Sequence, residues 1–387
     1  MPGSTLERLS GPRERAWTSH LAFALYREIS RSPGNLLFSP YGLLGALMVL
    51  RAGAAGETRR EIEAVVRRRE AGEALARSFG VLQRNVGHLA RAGSGLVELS
   101  TANALWCQSG CPMRRAFVET LRAHFGAEAG EVDFAGAPAD ASRTVNAWTA
   151  EATHGRVPSL LDGREAPALR HGMLTNLAFF TGPWLAPFSE ESTWPEPFDR
   201  APGGPVDVPM LHAVGTHQYA RVGDLQVLHL PYAVSRIRMI LLLPDEGRLQ
   251  TAEADLDSEL LRQAIRSVEP RLLHLVLPRC RIESTVRLRA ALESLGILSA
   301  FGPEADFSRI SESRGPFLDD VLHRSFVEVD EYGTEAVASG GEPSGSEREK
   351  AHAAVAEFRA DRPFLFLICD IETETIFFMG RVTDPGR

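Results

Sequence analysis

Along the first third of the chain, apolar side chains recur at the three- and four-residue spacing of amphipathic helices. Pro40 suits the first turn of one of these helices, and Gly53 closes it. Thr58 would cap the next helix, whose outer side is rich in arginine. The pattern predicts helices over residues 14–30, 40–53, 59–69 and 114–125, and a strand over residues 96–108.

Beyond residue 170 the pattern changes to short runs of leucine, phenylalanine and β-branched residues, which Gly and Pro interrupt. It predicts strands over residues 172–184, 225–232, 236–245, 271–284 and 374–385, and helices over residues 255–268 and 285–296. Strands that do not alternate regularly with helices indicate an α+β fold with large antiparallel or mixed sheets. No Gly/Ser-rich linker divides the chain, so we expect a single domain over residues 1–387.

One segment, residues 330–358, fits neither pattern, because small residues are followed there by Gly, Ser, Pro and mixed charges. If Gly333 begins a strand, one face carries Thr334, Ala336, Ala338 and Gly340, and the other carries Glu335, Val337 and Ser339. Such small side chains could enter a sheet between two existing strands, where large ones would overpack the core at about 1–3 kcal/mol each. They are also polar enough to stay in water. The segment is compatible with both states, and an ordinary surface loop is the alternative.

The composition is that of a globular protein with a large core, since 44% of the 387 residues are hydrophobic and 24% are charged. A net charge of −8 gives no reason to expect nucleic-acid binding. No apolar run reaches the roughly 20 residues that span a bilayer, so no membrane contact is expected. The N-terminal sequence lacks the apolar core of a secretory signal, and there is no N-glycosylation sequon. We therefore expect a cytoplasmic location, with an extracellular one as the alternative.

The chain carries none of the usual motifs of hydrolases, metalloproteases or nucleotide-binding enzymes, so no enzymatic activity is expected. The eleven histidines are scattered and contain no i,i+4 pair, and we expect no metal and no cofactor.

Cys107 and Cys111 flank a predicted turn and either form a small disulfide or stay two thiols. The arginines at 59, 60 and 67–69 either bind a polyanion such as heparin or form a solvated helix face, which the interleaved acidic residues favour.

Six segments follow one another along the chain in the order of the motifs of the serpin family. The first, NLLFSPYGLLGALMVLRAGAAGET over residues 35–58, is similar to the family's N-x-x-x-S-P segment and the helix after it. The others are VNAWTAEATHGRVPSLL, LTNLAFFTGPWLAPFSEEST, LESLGI with AFGPEADFSRIS, VLHRSFVEVDEYGTEA, and FRADRPFLFLI with TIFFMGRVTDP. Each motif alone is modest, whereas six in order over residues 35–385 are specific. On this resemblance the chain is identified as a member of the serpin family.

The resemblance implies an α+β serpin fold with about eight or nine helices, three β-sheets and an exposed reactive-centre loop, here at about residues 333–357. It implies a metastable native state, in which the loop waits outside the five-stranded central sheet. A serine protease would cleave the loop, form a covalent acyl-enzyme and be distorted when the freed loop inserts. The expected partner is therefore a target serine protease, and the expected state of the inhibitor is a monomer that is consumed.

Carried over position by position, the resemblance assigns three sets of residues. The hinge comprises Gly333, Thr334, Glu335, Ala336, Val337, Ala338 and Ser339. The shutter, a polar cluster beneath the strands that part, comprises Ser39, Asn176 and His323, and the breach, the end of the sheet where insertion starts, is marked by Trp184. Alone in an apolar run, His323 would be interpreted as a hydrogen-bonded core residue; the resemblance gives it a shutter hydrogen bond and no catalytic role.

The position of the cleaved bond stays open. Counting from Gly333 points to the bond between Glu347 and Arg348, whereas counting back from the end of the loop points to residues 350–352. A basic residue at this bond would suit a trypsin-like protease, whose specificity pocket is acidic. Arg348 is the first candidate and Lys350 the second.

Three residues depart from the family pattern. Gly42 stands where the shutter usually has a second serine. Glu342 falls on the inward face of an inserted strand, where an unpaired carboxylate is costly, and Pro343 removes a ladder donor. Two functions therefore stay open: a protease inhibitor, which the hinge favours, and a non-inhibitory serpin that binds, stores or chaperones, which Glu342 and Pro343 favour.

Overall fold

The computed structural model describes residues 17–66, 73–92, 97–161, 169–200, 203–234, 236–311, 318–334 and 356–386. These residues contain nine α-helices and fifteen β-strands. The helices are α1 (Trp17–Ile29), α2 (Pro40–Gly53), α3 (Gly56–Val66), α4 (Glu73–Ala92), α5 (Arg115–Phe125), α6 (Pro138–Ala152), α7 (Leu249–Ala254), α8 (Ser258–Arg266) and α9 (Arg289–Ser294).

The strands divide between a central sheet and a second, larger sheet. The first eight are β1 (Leu36–Phe38), β2 (Glu98–Gln108), β3 (Ala127–Val132), β4 (Gly172–Pro183), β5 (Thr193–Arg200), β6 (Gly204–Val222), β7 (Leu225–Pro231) and β8 (Ile237–Pro244). The remaining seven are β9 (Glu269–Pro278), β10 (Cys280–Arg287), β11 (Asp320–Val329), β12 (Gly333–Thr334), β13 (Ala356–Arg359), β14 (Phe364–Asp370) and β15 (Thr375–Val382).

The central sheet has five long strands in the order β10, β11, β4, β2, β3. Its two middle strands, β11 and β4, are parallel and pair directly over Asp320–Phe326 and Met173–Phe179. The register of the two strands ends at Phe326 and Phe179. The two-residue strand β12 then pairs with the last residues of β4. This is the five-stranded arrangement that the resemblance predicts, and the start of the loop segment lies at one end of it.

The second sheet runs in the order β1, β15, β14, β8, β7, β6, β9, β13, with β5 on β6. Its strand β6 is 19 residues long. Near its C-terminal end β6 pairs with β7, and over the rest it pairs with β9 and β5. Because β6 belongs to both halves, the second and third of the three expected sheets form one continuous hydrogen-bonded unit.

Helix α2 places the shutter beneath the central sheet. Thirteen of its fourteen residues are buried, as expected for a helix that is apolar on all sides, and it packs against β4 and β15. Ser39 is its N-cap: the Oγ atom accepts a hydrogen bond from the N–H of Gly42 at 3.0 Å. Helix α2 has the predicted bounds, Pro40 to Gly53.

Two local predictions are wrong. Thr58 does not cap a helix, because α3 begins at Gly56; the buried Thr58 hydroxyl accepts a hydrogen bond from the N–H of Asp306 at 2.9 Å. The helix predicted over residues 285–296 is too long, since the first residues of that range belong to β10 and pair with β11. Only Arg289–Ser294 are helical.

Candidate functional site: hinge, breach and shutter of the central sheet

The hinge begins as a strand of the sheet. Gly333 lies opposite Pro183 and Thr334 opposite Gly182, both on β4. Gly333 has a φ of +155°, and a Cβ atom there would lie 2.2 Å from the carbonyl oxygen of Gly182. Only glycine fits this close approach of two backbones. The first residue of the predicted hinge is therefore explained by geometry at the end of β4.

The second hinge residue points into the core, as the alternation of small side chains predicts. Thr334 is fully buried, and its Oγ1 atom lies 2.9 Å from the hydroxyl of Tyr232, which is also fully buried. The pKa of Tyr232 is raised by burial, so its hydroxyl stays protonated and can take part in this hydrogen bond. Because side chains alternate along a strand, the burial of Thr334 determines which later residues would point inward if the strand continued.

Trp184 holds the turn between β11 and β12 against the end of β4. Its ring stacks on Tyr232 with 4.6 Å between ring centroids, and its Nε1–H donates to the carbonyl oxygen of Asp330 at 3.0 Å. Its backbone N–H donates to the carbonyl oxygen of Tyr332 at 2.8 Å. The predicted breach residue therefore contacts both the sheet and the chain that leads into the hinge.

The structure adds an ion pair at the breach that the sequence did not reveal. The Glu331 carboxylate is buried and accepts a hydrogen bond from the guanidinium of Arg279, which is half-exposed. Burial raises the pKa of Glu331, but the hydrogen bonds from Arg279 and Thr193 and the charge of Arg279 together outweigh burial and hold the pKa below its usual value. The two residues lie 52 positions apart, so nothing in the local pattern pointed to their contact.

The shutter residues meet beneath the paired part of β4 and β11. His323 and Asn176 are register partners on the two strands, and the Nδ1 atom of His323 lies 2.7 Å from the Oδ1 atom of Asn176. The Nε2 atom of His323 accepts from the backbone N–H of Ser39 at 2.9 Å. The Ser39 hydroxyl donates to the carbonyl oxygen of Phe377 at 2.7 Å. Asn176 also donates through Nδ2 to the side chain of Asn103 at 2.8 Å.

These contacts fix the protonation of His323. Because Nε2 accepts the Ser39 N–H, the ring proton lies on Nδ1 and is donated to Asn176. Burial lowers the pKa of His323 to about 3, so the ring is neutral at physiological pH. The polar cluster is thus a structural hydrogen-bond network that joins α2, β4 and β11, in which the Ser39 hydroxyl donates to a backbone carbonyl and not to the His323 ring.

The missing serine at Gly42 has a physical reason in this chain. A Cβ atom at this position would lie 2.9 Å from the Oδ1 atom of Asn176 and 3.1 Å from the Oγ atom of Ser39. The carbonyl oxygen of Gly42 already accepts a hydrogen bond from Asn176 Nδ2 at 3.1 Å. The Asn176 amide therefore fills the space where a second shutter side chain would begin.

The rest of the predicted loop lies outside the described residues. This holds for the hinge residues Glu335, Ala336, Val337, Ala338 and Ser339 and for the cleavage candidates Glu347, Arg348 and Lys350. Described structure resumes with β13 at Ala356, which pairs in parallel with β9. The assignments within residues 335–355 stay predictions.

The structure describes the four cysteines and some of the arginines that the sequence singled out. Cys107 and Cys111 are free thiols, as are Cys280 and Cys369. Arg59 pairs with Glu63 at 3.0 Å and Arg60 with Glu57, while Arg67–Arg69 lie outside the described residues. Heparin binding stays a prediction, tested by the rate of inhibition with and without heparin.

The described part of the chain contains neither a metal-binding cluster nor a helix that could cross a membrane. No group of three or more His, Cys, Asp or Glu side chains in that part could hold a metal ion. No helix in it combines the length and the apolar character that crossing a membrane requires. The candidate site among the described residues is therefore the place where β12, the start of the hinge, pairs with the end of β4.

Comparisons with known proteins agree with this geometry. The family model for serpin (serine protease inhibitor) matches residues 16–385. An uncharacterised serpin-like protein of Thermococcus kodakarensis is 35% identical over 94% of this chain and 84% of its own. Leukocyte elastase inhibitor of Xenopus laevis is 30% identical over 95% of this chain and 98% of its own. The solved structure of uncleaved ovalbumin matches with a TM-score of 0.85 at 25% identity, over 96% of this chain and 99% of that one. The chain belongs to the serpin family of serine protease inhibitors.

Proposed function

We propose that this serpin inhibits a serine protease as a suicide substrate: the protease cleaves the segment between β12 and β13, and the freed segment inserts into the central sheet. One observation carries the proposal. Gly333 and Thr334 already pair with the end of β4, just past the point where the pairing of β4 with β11 ends. The segment thus starts as a strand of the sheet that it would enter. The inhibitor is consumed in this mechanism, so it includes no enzymatic turnover.

The register of β12 sets the direction of insertion. Each residue after Thr334 would pair one position further back along β4, beginning at Thr181. At Thr181 and Phe180 one edge of β4 is occupied by β2, so the edge that an inserting strand can use is the one that faces β11. Insertion would replace the parallel pairing of β4 and β11 by two antiparallel ladders. More ladder hydrogen bonds, in the more stable antiparallel pattern, provide the driving force.

The shutter would oppose that step until the loop is cut. The hydrogen bond between His323 and Asn176 crosses from β11 to β4, between the strands that must separate. A strand entering between them would break this buried bond, and an unsatisfied buried polar group costs about 1–3 kcal/mol. The shutter therefore acts as a latch on the closed, five-stranded sheet.

The loop sequence supports a trypsin-like target. Arg348 and Lys350 are basic residues near the positions that both ways of counting indicate. A trypsin-like specificity pocket carries an acidic group that pairs with such a side chain. Arg348 is the first choice for the residue at the cleaved bond, in a covalent complex of one protease with one inhibitor monomer.

Mixing the chain with trypsin, thrombin and a wider panel of serine proteases tests the proposal. The expected product on a denaturing gel is a covalent band at the sum of the two masses. Ala336→Arg should be cleaved without forming this band, since alternation from the buried Thr334 would carry the arginine into the core of an inserted strand. Glu335→Arg, which the same alternation would place on the outward face of an inserted strand, is the matched control and should keep the band. Absence of the band with every protease of the panel would overturn the proposal.

A second function, that of a non-inhibitory serpin acting as a binding, storage or chaperone-like module, is favoured by Glu342 and Pro343. Both residues resist deep insertion, one by its charge and the other by its missing N–H. This function predicts cleavage of the loop without a covalent complex and without added stability in the cleaved chain. Mass spectrometry of the fragment released from a protease complex would instead locate the cleaved bond of an inhibitor.

A further inference from the structure

At the end of the central sheet opposite to the hinge, one carboxylate joins the starts of β4 and β11. The Oδ2 atom of Asp319 accepts hydrogen bonds from the backbone N–H groups of Arg170, His171 and Gly172 at 2.6, 2.7 and 3.2 Å. The Oδ1 atom of Asp319 lies 3.0 Å from Nδ1 of His171, and the N–H of Asp319 donates to the carbonyl oxygen of Gly172 at 2.7 Å. We call these four residues the Asp319 clasp.

The clasp crosses the line along which the sheet would open. On one side, His171 is tied to β2, because its carbonyl oxygen accepts a hydrogen bond from the N–H of Gln108 at 2.8 Å. On the other side, Asp319 directly precedes β11, and its carbonyl oxygen accepts from Nη1 of Arg289 on α9 at 3.3 Å. Separation of β4 from β11 along their whole length would therefore pull the carboxylate away from its N–H donors.

The hydrogen bonds of the clasp are partly shielded from water. The Asp319 side chain is 15% exposed, so water has limited access to its oxygen atoms. Hydrogen bonds from N–H groups to a carboxylate are shorter and about twice as strong as those between neutral groups. The three N–H donors follow one another along the chain, so one movement of Asp319 would leave all of them without this acceptor.

The hinge end of the sheet shows how quickly the two strands can diverge. The direct pairing of β4 and β11 stops at Phe179 and Phe326, and β12 is the neighbour of β4 from Gly182 onward. β4 thus passes from one neighbour to the other within three residues. While the clasp holds Gly172, the same spacing makes room for an inserted strand only as far as Thr175.

The register of β12 converts this depth into a position on the loop. Thr334 pairs with Gly182, so continued antiparallel pairing would bring Gly341 opposite Thr175. The next two residues are a glutamate and a proline, which oppose insertion by a charge and by a missing N–H. The depth that a closed clasp permits coincides with the point at which the loop sequence stops being suited to the sheet.

We propose, on the basis of the proposed function, that the cleaved loop inserts in two steps and that the Asp319 clasp is the barrier between them. In the first step the strand extends to about Gly341 while the clasp stays closed. In the second step Asp319 gives up its hydrogen bonds, the ends of β4 and β11 separate, and the rest of the loop enters. Asp319 is a positioning residue of this reaction, since it acts on the sheet and takes no part in the covalent chemistry.

Hydrogen exchange after cleavage by a metalloprotease tests the two steps without a serine protease. Such an enzyme forms no acyl-enzyme and is stopped by a chelator, and mass spectrometry identifies chains cut between residues 348 and 355. All chains carry Glu342→Ala, so that burial of this charge causes no delay. Residues 344–346 should gain protection at least about tenfold more slowly than residues 335–341, because the clasp must first lose hydrogen bonds to a charged group.

Two variants and one control make the test specific. Asp319→Ala removes the acceptor, so both groups of loop residues should gain protection together. Asp319→Asn keeps one acceptor oxygen without the charge, so it should shorten the delay, and it replaces Asp319→Ala if that chain fails to fold. Asp257→Ala is the matched control and should keep the full delay, because Asp257 accepts the N–H groups of Glu259 and Leu260 at 2.8 Å each at the start of α8.

Equal rates of protection in the two groups of loop residues before Asp319 is changed, or an unchanged delay in Asp319→Ala, would overturn the inference. A cleaved chain that gains no protection anywhere in the loop would overturn both the inference and the insertion step of the proposed function. Protection in two steps by a chain that forms no covalent complex with any protease of the panel would overturn the proposed function alone, so the failures are distinguishable.

Discussion

At His323, one proton more or less decides whether the shutter can form. The ring must accept from the N–H of Ser39 and donate to Asn176, which only the neutral tautomer with its proton on Nδ1 can do. The buried surroundings favour this state by lowering the pKa to about 3. The shutter is thus sensitive to acid through a single residue, although the residue takes no part in proton transfer.

The first prediction concerns this acid sensitivity. In the unfolded chain a histidine has a pKa of about 6.5. Because the folded pKa of His323 is lower, its contribution to stability is complete above pH 6.5 and falls by about 1.4 kcal/mol per pH unit below it. We expect His323→Gln to destabilise the protein at pH 7.5, and this cost to shrink by about 2 kcal/mol at pH 5.

Chemical unfolding of both proteins at the two pH values measures the difference. His124→Gln, which replaces an exposed histidine on α5, is the control and should leave the pH dependence unchanged. A cost of His323→Gln that is equal at both pH values would contradict the prediction.

A second prediction tests the space at Gly42. Alanine there places its Cβ 2.9 Å from Asn176 Oδ1, an atom that the His323 hydrogen bond holds in place. We expect Gly42→Ala to lower the free energy of unfolding by about 1–2 kcal/mol, because overpacking outweighs the gain in helix propensity. Gly45→Ala in the same helix meets its nearest atoms at 3.4 Å and should be neutral or stabilising. Equal effects of the two substitutions in thermal melts would refute the argument.

Single residues of the site could be predicted where a motif specified them. Asn176, His323 and Trp184 stood in recognisable segments, and they lie at the β4–β11 pair and at the end of β4, while their roles as shutter and breach stay predictions. The Arg279–Glu331 pair could not be predicted, since an acidic residue beside Asp330 has the pattern of a solvated turn. Only the tertiary fold shows that one of these two carboxylates is buried.

At the scale of elements, the burial of Thr334 determines which loop residues would face the core in an inserted strand. Thr334 is buried, so alternation along an inserted strand carries Ala336, Ala338, Gly340 and Glu342 inward in turn. The first three are small, and Glu342 is the first residue on that face that a core would reject. Insertion should therefore proceed readily over the first part of the loop and slow at this position.

The third prediction follows from that slowing. When the cleaved loop inserts slowly, the protease is released before it is trapped. More inhibitor molecules are then consumed for each protease molecule. Glu342→Ala should lower this ratio towards one, since it removes the buried charge. Glu335→Ala, which alternation would place on the outward face of an inserted strand, is the matched control and should leave the ratio unchanged. Titration of a serine protease with each variant gives the ratio. An equal fall of the ratio in both variants would rule out the assignment of Glu342 to the inward face and Glu335 to the outward face.

The predictability of the elements differed for physical reasons. Helix α2 was predicted to the residue because Pro40 and Gly53 mark its ends. The predicted helix over residues 285–296 failed at its start because Thr285–Arg287 pair with β11, and this cross-strand pairing overrides local helix propensity. Strand β6 was missed because its burial follows three different partners along its length, which hides the period of two.

At the scale of the whole molecule, the central feature is the direct parallel pairing of β4 and β11 in the central sheet. β4 and β11 run parallel and side by side, while every other pair of the described long strands in this sheet except β2 and β3 is antiparallel. The loop starts at the end where the β4–β11 pairing stops. In the proposed mechanism a sixth strand between them would pair along both of its own edges, and the uncut connection through β13 and the shutter hydrogen bonds would oppose its entry.

The last prediction is that cleavage within residues 335–355 makes the molecule harder to unfold. An inserted strand of about ten residues gains about twenty cross-strand pairs and gives up the seven between β4 and β11, a net gain worth roughly 6 kcal/mol at about 0.5 kcal/mol each. For a chain of this size such a gain raises the melting temperature by about 8 °C. Limited proteolysis followed by calorimetry measures the shift. Cleaved Ala336→Arg should show little of this shift, because an arginine on the inward face blocks insertion. A cleaved wild type that melts at the same temperature as the intact chain would show that the segment gains nothing from the sheet.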